Sequence, residues 1–126
     1  MSEGTVEAFR RAESLVAQRR PLEALRVLQP VLDIASEKPS VQLLLGRAYL
    51  FSAQFQRAER AFHHVLELDP SDHYARLALG RTLQRQGRLG EAQTQLRLAA
   101  TMNPDPAYQE ALGEINARIA VDDRAQ

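Results

Sequence analysis

The sequence lacks cysteine and tryptophan altogether, and Lys38 is its one lysine beside 15 arginines. Without cysteine there is no thiol nucleophile, no disulfide framework and no thiolate ligand for zinc or an iron–sulfur cluster. This composition fits a reducing compartment. A length of 126 residues predicts one domain, which is large enough to bury a core without a disulfide or a metal.

An excess of charge of one sign and a long apolar run are missing too. The 16 basic side chains balance 16 acidic ones, which argues against bulk nucleic acid or an anionic membrane as the main partner. No window approaches the roughly 20 apolar residues of a membrane-spanning helix. The first residues, from Ser2 to Glu7, contain no apolar run of the kind found in a secretory signal. We therefore expect a cytoplasmic protein with no membrane and no nucleic-acid partner.

What the chain does contain is a repeat of 34 residues in three successive copies. Small, apolar or turn-forming residues recur in each copy at the same places. The matching sets are Ala12, Gly46 and Gly80; Leu15, Tyr49 and Leu83; Ala24, Ala58 and Ala92; Leu28, Phe62 and Leu96; Val31, Val65 and Ala99; and Ser36, Pro70 and Pro104. A period of this size indicates a repeat architecture in which each copy is one supersecondary unit.

Each copy contains two apolar-periodic stretches separated by a short break. They cover 39–52 and 55–68 in the second copy, and 73–86 and 89–102 in the third. Apolar residues recur there at i, i+3, i+4 and i+7, which is the spacing of one helix face. Gly87 is suited to the left-handed residue that ends a helix. No stretch alternates as a strand does, so the sequence predicts an all-α array of helical hairpins.

Two local features qualify this regular pattern. Pro30 lies inside the second helix of the first copy, where it removes the hydrogen bond to the Arg26 carbonyl. We expect a break near Gln29 and a last, distorted turn after it. Gly46 and Ala58 are the small residues of the two helices of the second copy, and they predict a close approach of the helix axes.

The stretch after the third copy is amphipathic. Tyr108, Leu112, Ile115 and Ile119 fall at i, i+4, i+7 and i+11, the spacing of a helical stripe. A repeat stack needs a terminal helix with one polar face. We therefore predict a capping helix over residues 106–121.

The second copy resembles the tetratricopeptide repeat (TPR) family at Leu45, Gly46, Tyr49, Ala53, Phe55, Ala58, Phe62, Val65 and Pro70. The resemblance extends over residues 5–106, although Ala8, Gln42 and Arg76 replace the aromatic residue expected at position four of each copy. It implies an all-α fold, a right-handed α-solenoid of three helix-turn-helix repeats with a seventh, capping helix. The implied arrangement is one domain over 1–126, with repeats at 5–38, 39–72 and 73–106, the cap at 106–121 and short flexible ends.

In this family the first helices of successive repeats line a concave groove that receives a peptide or a helix of a partner protein. Transferred position by position, the resemblance implies a peptide-binding groove lined by Phe9, Glu13, Leu43, Arg47, Leu50, Tyr74, Leu77, Arg81, Gln84 and Arg85. An apolar base beside arginines predicts an apolar or amphipathic partner segment that carries acidic residues. We therefore expect a non-enzymatic interaction module, such as an adaptor, a scaffold or a co-chaperone-like protein.

Two alternatives stay open at this point. Leu44, Leu50 and Phe51 fit the core between repeats as well as they fit a partner-binding surface. The groove would also suit another copy of the chain, in a homo-oligomer, or a larger assembly in which the protein is a structural subunit.

One branch of the family grips the C-terminal carboxylate of a chaperone with lysine, asparagine and arginine. The matching positions in this sequence are Phe9, Glu13, Leu44, Tyr74 and Ala78. None of these residues supplies the required positive charge or amide. The sequence therefore disfavours binding of an Hsp70 or Hsp90 tail through that clamp.

Catalytic, metal and cofactor sites are not predicted. Ser71, Asp72 and His73 are the residue types of a catalytic triad, but three neighbours at a helix start do not adopt triad geometry. His63 and Glu67 lie four residues apart on one helix, and two ligands do not complete a tetrahedral metal site. We expect no catalytic residue, no metal and no cofactor.

Overall fold

A computed structural model describes residues 2–125. Within that range the chain is all-α and contains no strand. The helices are α1 (Glu3–Ala17), α2 (Pro21–Leu28), α3 (Leu32–Ala35), α4 (Pro39–Phe51), α5 (Phe55–Leu68), α6 (His73–Arg85), α7 (Leu89–Met102) and α8 (Pro106–Ala125). None of these helices is both long and apolar enough to cross a lipid bilayer.

The helices pack as antiparallel hairpins stacked in chain order. α1 pairs with α2, α4 with α5 and α6 with α7, while α5 contacts α6 and α7 contacts α8. The predicted array of helical hairpins is therefore confirmed. The helix limits expected for the second and third copies differ from the observed ones by one residue at most.

Proline breaks the second helix of the first copy where the sequence predicted it. α2 ends at Leu28, a 3₁₀ turn covers Gln29–Val31, and α3 adds one more turn. Pro30 has no N–H to donate and its ring clashes with the preceding turn, so the α-helical hydrogen bonds cannot continue through it. The break divides one helix of the first repeat into α2 and α3; counted as one, they leave the capping helix α8 as the predicted seventh helix of the described residues.

The crossing of the two helices in each repeat depends on a small residue. A Cβ atom placed on Gly46 would overlap the ring of Phe62, and one on Gly80 would lie 2.7 Å from Leu96 Cδ2. Phe62 and Leu96 are fully buried. The glycines therefore allow α4 to lie directly on α5, and α6 on α7.

A left-handed residue ends the first helix of every repeat. Arg19 and Ala53 have φ angles of 60°, and Gly87 has a φ of 75°. These three residues are 34 positions apart, so one turn geometry is used three times. The prediction for Gly87 is confirmed, whereas Arg19 and Ala53 adopt this conformation with a Cβ that disfavours it.

The core consists of two clusters. The larger one joins the second and third repeats to α8, and the smaller one joins the first repeat to α4. Tyr49 packs against both clusters. At the outer edge of the first repeat, Leu22 and Ile34 are 56% and 69% exposed.

An ion pair also joins the second and third repeats. Arg88 Nη1 lies 2.6 Å from Glu59 Oε1, and Arg88 Nε lies 2.6 Å from Glu91 Oε2. Burial acts to raise the pKa of Glu59, but hydrogen bonds from Arg88 and Gln86 outweigh it and lower that pKa. The carboxylate therefore stays ionised at the junction of the two repeats.

The capping helix α8 runs to Ala125 and is longer than predicted. Of the predicted stripe, Tyr108 and Ile115 are buried, while Leu112 and Ile119 are half-buried. The hydroxyl of Tyr108 lies 2.9 Å from Nδ1 of His73 on α6, and burial raises the pKa of this phenol. Of the flexible ends expected from the sequence, Met1 and Gln126 lie outside the described residues.

Candidate functional site

The first helices of the three repeats form one surface, which we call the first-helix face. α1 contacts α4, α4 contacts α6, and α6 contacts α8. All ten residues of the predicted groove lie on α1, α4 and α6. Most of them repeat at i, i+4 and i+7 on their helix, as Leu43, Arg47 and Leu50 do on α4, and this spacing keeps them on one side.

The apolar members of the predicted groove differ in how much surface they leave open. Leu77 is only 7% exposed and belongs to the larger core cluster. Leu43 and Leu50 are half-buried against the same cluster, and Phe9 is half-buried against the smaller one. Tyr74 at the start of α6 is 38% exposed. The accessible apolar area of this face therefore comes mainly from Tyr74 and from the open sides of Leu43, Leu50 and Phe9.

Leu44, Leu50 and Phe51 were expected to fit either the core between repeats or a partner-binding surface, and the structure places one of them, Leu44, fully in the core. Leu44 is 2% exposed and lies inside the smaller cluster, so it offers no surface to a partner. Leu50 and Phe51 are half-buried and pack against the clusters with one side only. The apolar base of the face is thus narrower than the sequence pattern alone suggested.

Two arginines occupy the same repeat position on adjacent helices of this face. Arg47 on α4 is half-buried and Arg81 on α6 is exposed. Within the described residues neither guanidinium lies within 4.0 Å of a carboxylate. Nε of Arg47 is buried and has no hydrogen-bond partner among the residues that the structure describes. A buried donor without an acceptor is costly, so an acceptor supplied by a ligand would be stabilising here.

The remaining polar members lie at the ends of the helices. Glu13 is exposed on α1, Gln84 is half-buried, and Arg85 is exposed at the end of α6. The Arg85 guanidinium carbon lies 5.0 Å from the centroid of the Phe55 ring, within the range of a cation–π contact. This contact directs Arg85 toward the turn between α4 and α5.

The edge of the face contains a cation–π pair that the sequence reasoning missed. The Arg19 guanidinium carbon lies 3.9 Å from the centroid of the Phe51 ring. Together with Pro21 and Leu22, this pair lines an open cavity of about 420 Å³. The 34-residue spacing of Arg19, Ala53 and Gly87 was the available signal, because it places Arg19 in the turn beside the next repeat.

The residue types of a triad serve as turn and cap residues. The Ser71 hydroxyl donates to Asp69 Oδ1 at 2.6 Å, and Asp72 Oδ1 accepts the Ala75 N–H at 2.9 Å as the N-cap of α6. His73 is engaged with Tyr108 on α8. In the part of the chain that the structure describes, no group of three or more histidine, aspartate or glutamate side chains is placed to hold a metal ion.

Comparison with protein families gives a direct match. A tetratricopeptide repeat model matches residues 52–115, which is about half of the chain. Among curated proteins, the chain is 31% identical over 85 residues to the DnaJ homolog subfamily C member 7 homolog of Schizosaccharomyces pombe. That match takes in 67% of this chain and 18% of the relative, so the chain spans less than a fifth of that protein's length.

Solved structures share the fold at low sequence identity. The Sgt2 TPR domain from Aspergillus fumigatus has a TM-score of 0.87 and 17% identity, covering 98% of this chain and 83% of that chain. The Yersinia enterocolitica type III secretion chaperone SycD, solved with a peptide of the translocator YopD, has a TM-score of 0.82 and 17% identity. That alignment covers 94% of this chain and 96% of SycD.

Proposed function

The chain belongs to the tetratricopeptide repeat family, and from this premise we propose that it is a non-enzymatic protein–protein interaction module. It binds a peptide or a helix of a partner on the first-helix face, as an adaptor, a scaffold or a co-chaperone-like protein. The domain is taken as residues 1–126, with three repeats and the capping helix. Its place of action is the cytoplasm.

The observation that carries this proposal is the pair Arg47 and Arg81 beside half-buried apolar side chains. Neither arginine is paired with a carboxylate within the described residues, and Nε of Arg47 lacks an acceptor. Acidic residues of a partner would satisfy both guanidinium groups, and its apolar residues would cover Leu43 and Tyr74. The partner segment is therefore apolar or amphipathic with acidic residues.

The relatives support binding of a peptide on this fold without identifying the partner. SycD is a chaperone solved with a bound translocator peptide. The Schizosaccharomyces pombe relative carries the name of a DnaJ homolog, which supports a co-chaperone-like role. The residues of this face do not include the clamp for a chaperone tail, because Phe9 and Tyr74 stand where that clamp requires positive charge.

Recovery of partners by the immobilised chain tests the proposal. The variant combines Tyr74→Glu with Arg81→Glu, two exposed positions on α6, and its matched control is Arg97→Glu, an exposed arginine on α7. We expect the double variant to lose the partners that the wild type and the control retain, with unchanged helicity in circular dichroism. Retention of the same partners by the double variant would show that the first-helix face is not the binding surface.

The alternative is a structural subunit whose face is occupied by another copy or by a larger assembly. Leu22 on α2 and Ile34 on α3 lie outside that face, and their exposure offers an assembly a second apolar surface through which further copies or subunits would be joined. Light scattering over a range of concentrations separates the two functions. A monomer at all concentrations supports the adaptor, whereas a stable oligomer that Tyr74→Glu with Arg81→Glu dissociates supports the structural subunit.

A further inference from the structure

The second repeat differs from the other two in the charge at the start of its second helix. In the first repeat Arg20 donates to Glu23, with nitrogen–oxygen distances of 2.8 and 2.7 Å. In the third repeat Arg88 makes the same pair with Glu91. The second repeat has Gln54 and Arg57 at these positions, joined by a single bond of 2.7 Å from Arg57 Nη1 to Gln54 Oε1. Arg57 is therefore a cation at the position where the other two repeats have a carboxylate, Glu23 or Glu91.

Two further basic groups follow on the same side of α5. Arg60 and His64 lie three and seven residues after Arg57, so the three side chains share one helix face. The third repeat has Thr94 and Leu98 at the equivalent positions. The first repeat has Arg26 and Pro30 there, so the combination of three basic side chains occurs in the second repeat alone.

These side chains line an open cleft of about 280 Å³ between α4 and α5. Its floor contains Leu45 and Ala61, each 6% exposed, and its wall contains the half-buried Tyr49. Gln42 also lines the cleft, and its Nε2 donates to the Ser36 carbonyl at 2.8 Å. None of the described residues that line the cleft is an aspartate or a glutamate.

The equivalent space in the other repeats is occupied or neutralised. In the third repeat Arg76 replaces Gln42 and reaches Gln95 Oε1 and the Pro70 carbonyl, both at 3.3 Å. In the first repeat the matching cavity is lined by Arg11 and Arg26, but also by Glu7.

The basic side chains of the cleft have few partners of their own. Within the described residues neither Arg57 nor Arg60 lies within 4.0 Å of a carboxylate, and Arg60 makes no hydrogen bond there. Nε2 of His64 lies 3.8 Å from Glu37 Oε2, and the Glu37 side chain is 79% exposed. Like charges on one helix face repel each other, so an anion bound between them would be stabilised.

We propose that this cleft binds a phosphate group, presented either by a phosphorylated side chain of a partner protein or by a free phosphate. Two forked guanidinium groups match the geometry of phosphate oxygens, and the phosphate carries up to two negative charges for the cations around it. The Tyr49 hydroxyl adds a neutral donor, and the open side of the cleft leaves room for an ester group. The cleft shares no residue with the predicted peptide-binding groove. A negative result at one of the two sites therefore does not decide whether the other exists.

Titration of the full chain with inorganic phosphate, followed by amide chemical shifts at constant ionic strength, tests the site. We expect saturable shifts in α5 around Arg57 and Arg60. The variant Gln54→Arg with Arg57→Glu recreates the pair that the first and third repeats already contain, so it preserves the fold, and Arg60→Thr copies the third repeat. Each should weaken phosphate binding by about tenfold, the effect of losing one charge-assisted hydrogen bond, while Arg97→Gln on α7 leaves it unchanged.

A second pair of probes identifies the source of the phosphate. N-acetyl-O-phosphoserine methylamide binding at the cleft, with no binding of the unphosphorylated compound, supports a phosphorylated partner residue. Binding of inorganic phosphate alone supports a free phosphate. The proposal is overturned if both variants bind phosphate as the wild type does, if the shifts lie elsewhere, or if no probe produces saturable shifts.

Discussion

The first and third repeats place a fully buried leucine at the same position, Leu28 and Leu96, but they surround it differently. Leu96 lies in a cluster that continues into the second repeat and α8. Leu28 lies in the smaller cluster, and its helix breaks at the next residue. In a repeat array each unit is stabilised mainly by its neighbours. We therefore expect the first repeat to be the least stable end of the described fold.

The largest expected effect comes from removing these two leucines. Leu96→Ala should lower the free energy of unfolding by about 2–5 kcal/mol because it leaves a cavity in the shared core. Leu28→Ala should act mostly on the first repeat, with a smaller change in the main unfolding transition. Urea unfolding and hydrogen exchange of the amides of α1 and α2 measure both effects. Equal losses in the main transition would contradict the proposed difference between the repeats.

Restoring the broken helix should reduce the difference in stability between the first repeat and the third. Pro30→Ala allows the α-helical hydrogen bonds to continue from α2 into α3. The gain in stability should be below about 3 kcal/mol, the full penalty of proline in a helix interior, because the 3₁₀ turn already relieves part of it. Increased helicity in circular dichroism and slower exchange in α2 are the expected signals. A loss of stability would show that the break is needed for packing.

The glycine at the helix crossing should be harder to replace in the second repeat than in the third. Gly46→Ala should destabilise the protein by about 1–3 kcal/mol, because the new methyl group overlaps the rigid ring of Phe62. Gly80→Ala should cost somewhat less, because its added Cβ lies 2.7 Å from Cγ and Cδ2 of Leu96, a smaller overlap than the one with the Phe62 ring. Gly113→Ala on α8 is the control: nothing lies within 4 Å of its added Cβ, and it should gain up to about 1 kcal/mol. Thermal unfolding orders the three variants, and a neutral Gly46→Ala would contradict the close crossing.

The smallest effect concerns the left-handed turn that all repeats share. Ala53→Gly should stabilise the protein by less than about 1 kcal/mol, because relief of the strained φ angle exceeds the entropy that glycine loses. Gly87→Ala should have the opposite sign. The midpoints of thermal unfolding check both, and a destabilising Ala53→Gly would mean that the strain is compensated elsewhere.

Most of the fold was predictable because its determinants are local. α5 and α7 match their predicted limits of 55–68 and 89–102, since apolar spacing and the prolines that follow them define both helices. The break at Pro30 follows from its missing N–H. The left-handed geometry of Ala53 was not predicted, because alanine does not favour it and the one signal for it was its distance of 34 residues from Gly87.

The candidate site was less predictable because exposure depends on neighbours in space. The position of Leu77 in the repeat gave no sign that it lies 7% exposed in the core. The missing acceptor of Arg47 Nε and the Arg19 contact with Phe51 likewise depend on side-chain placement. The ten groove residues therefore stay a prediction, and their exposed members are Glu13, Tyr74, Arg81 and Arg85.

Site-specific photo-crosslinking tests the central claim, partner binding on the first-helix face, most directly. A photoreactive phenylalanine derivative replaces Tyr74 on α6 in one protein and Arg97 on α7 in another, and both are exposed to the same partner-containing lysate. The proposal predicts a crosslinked partner from position 74 and none from position 97. A partner crosslinked from position 97 and not from position 74 would contradict it.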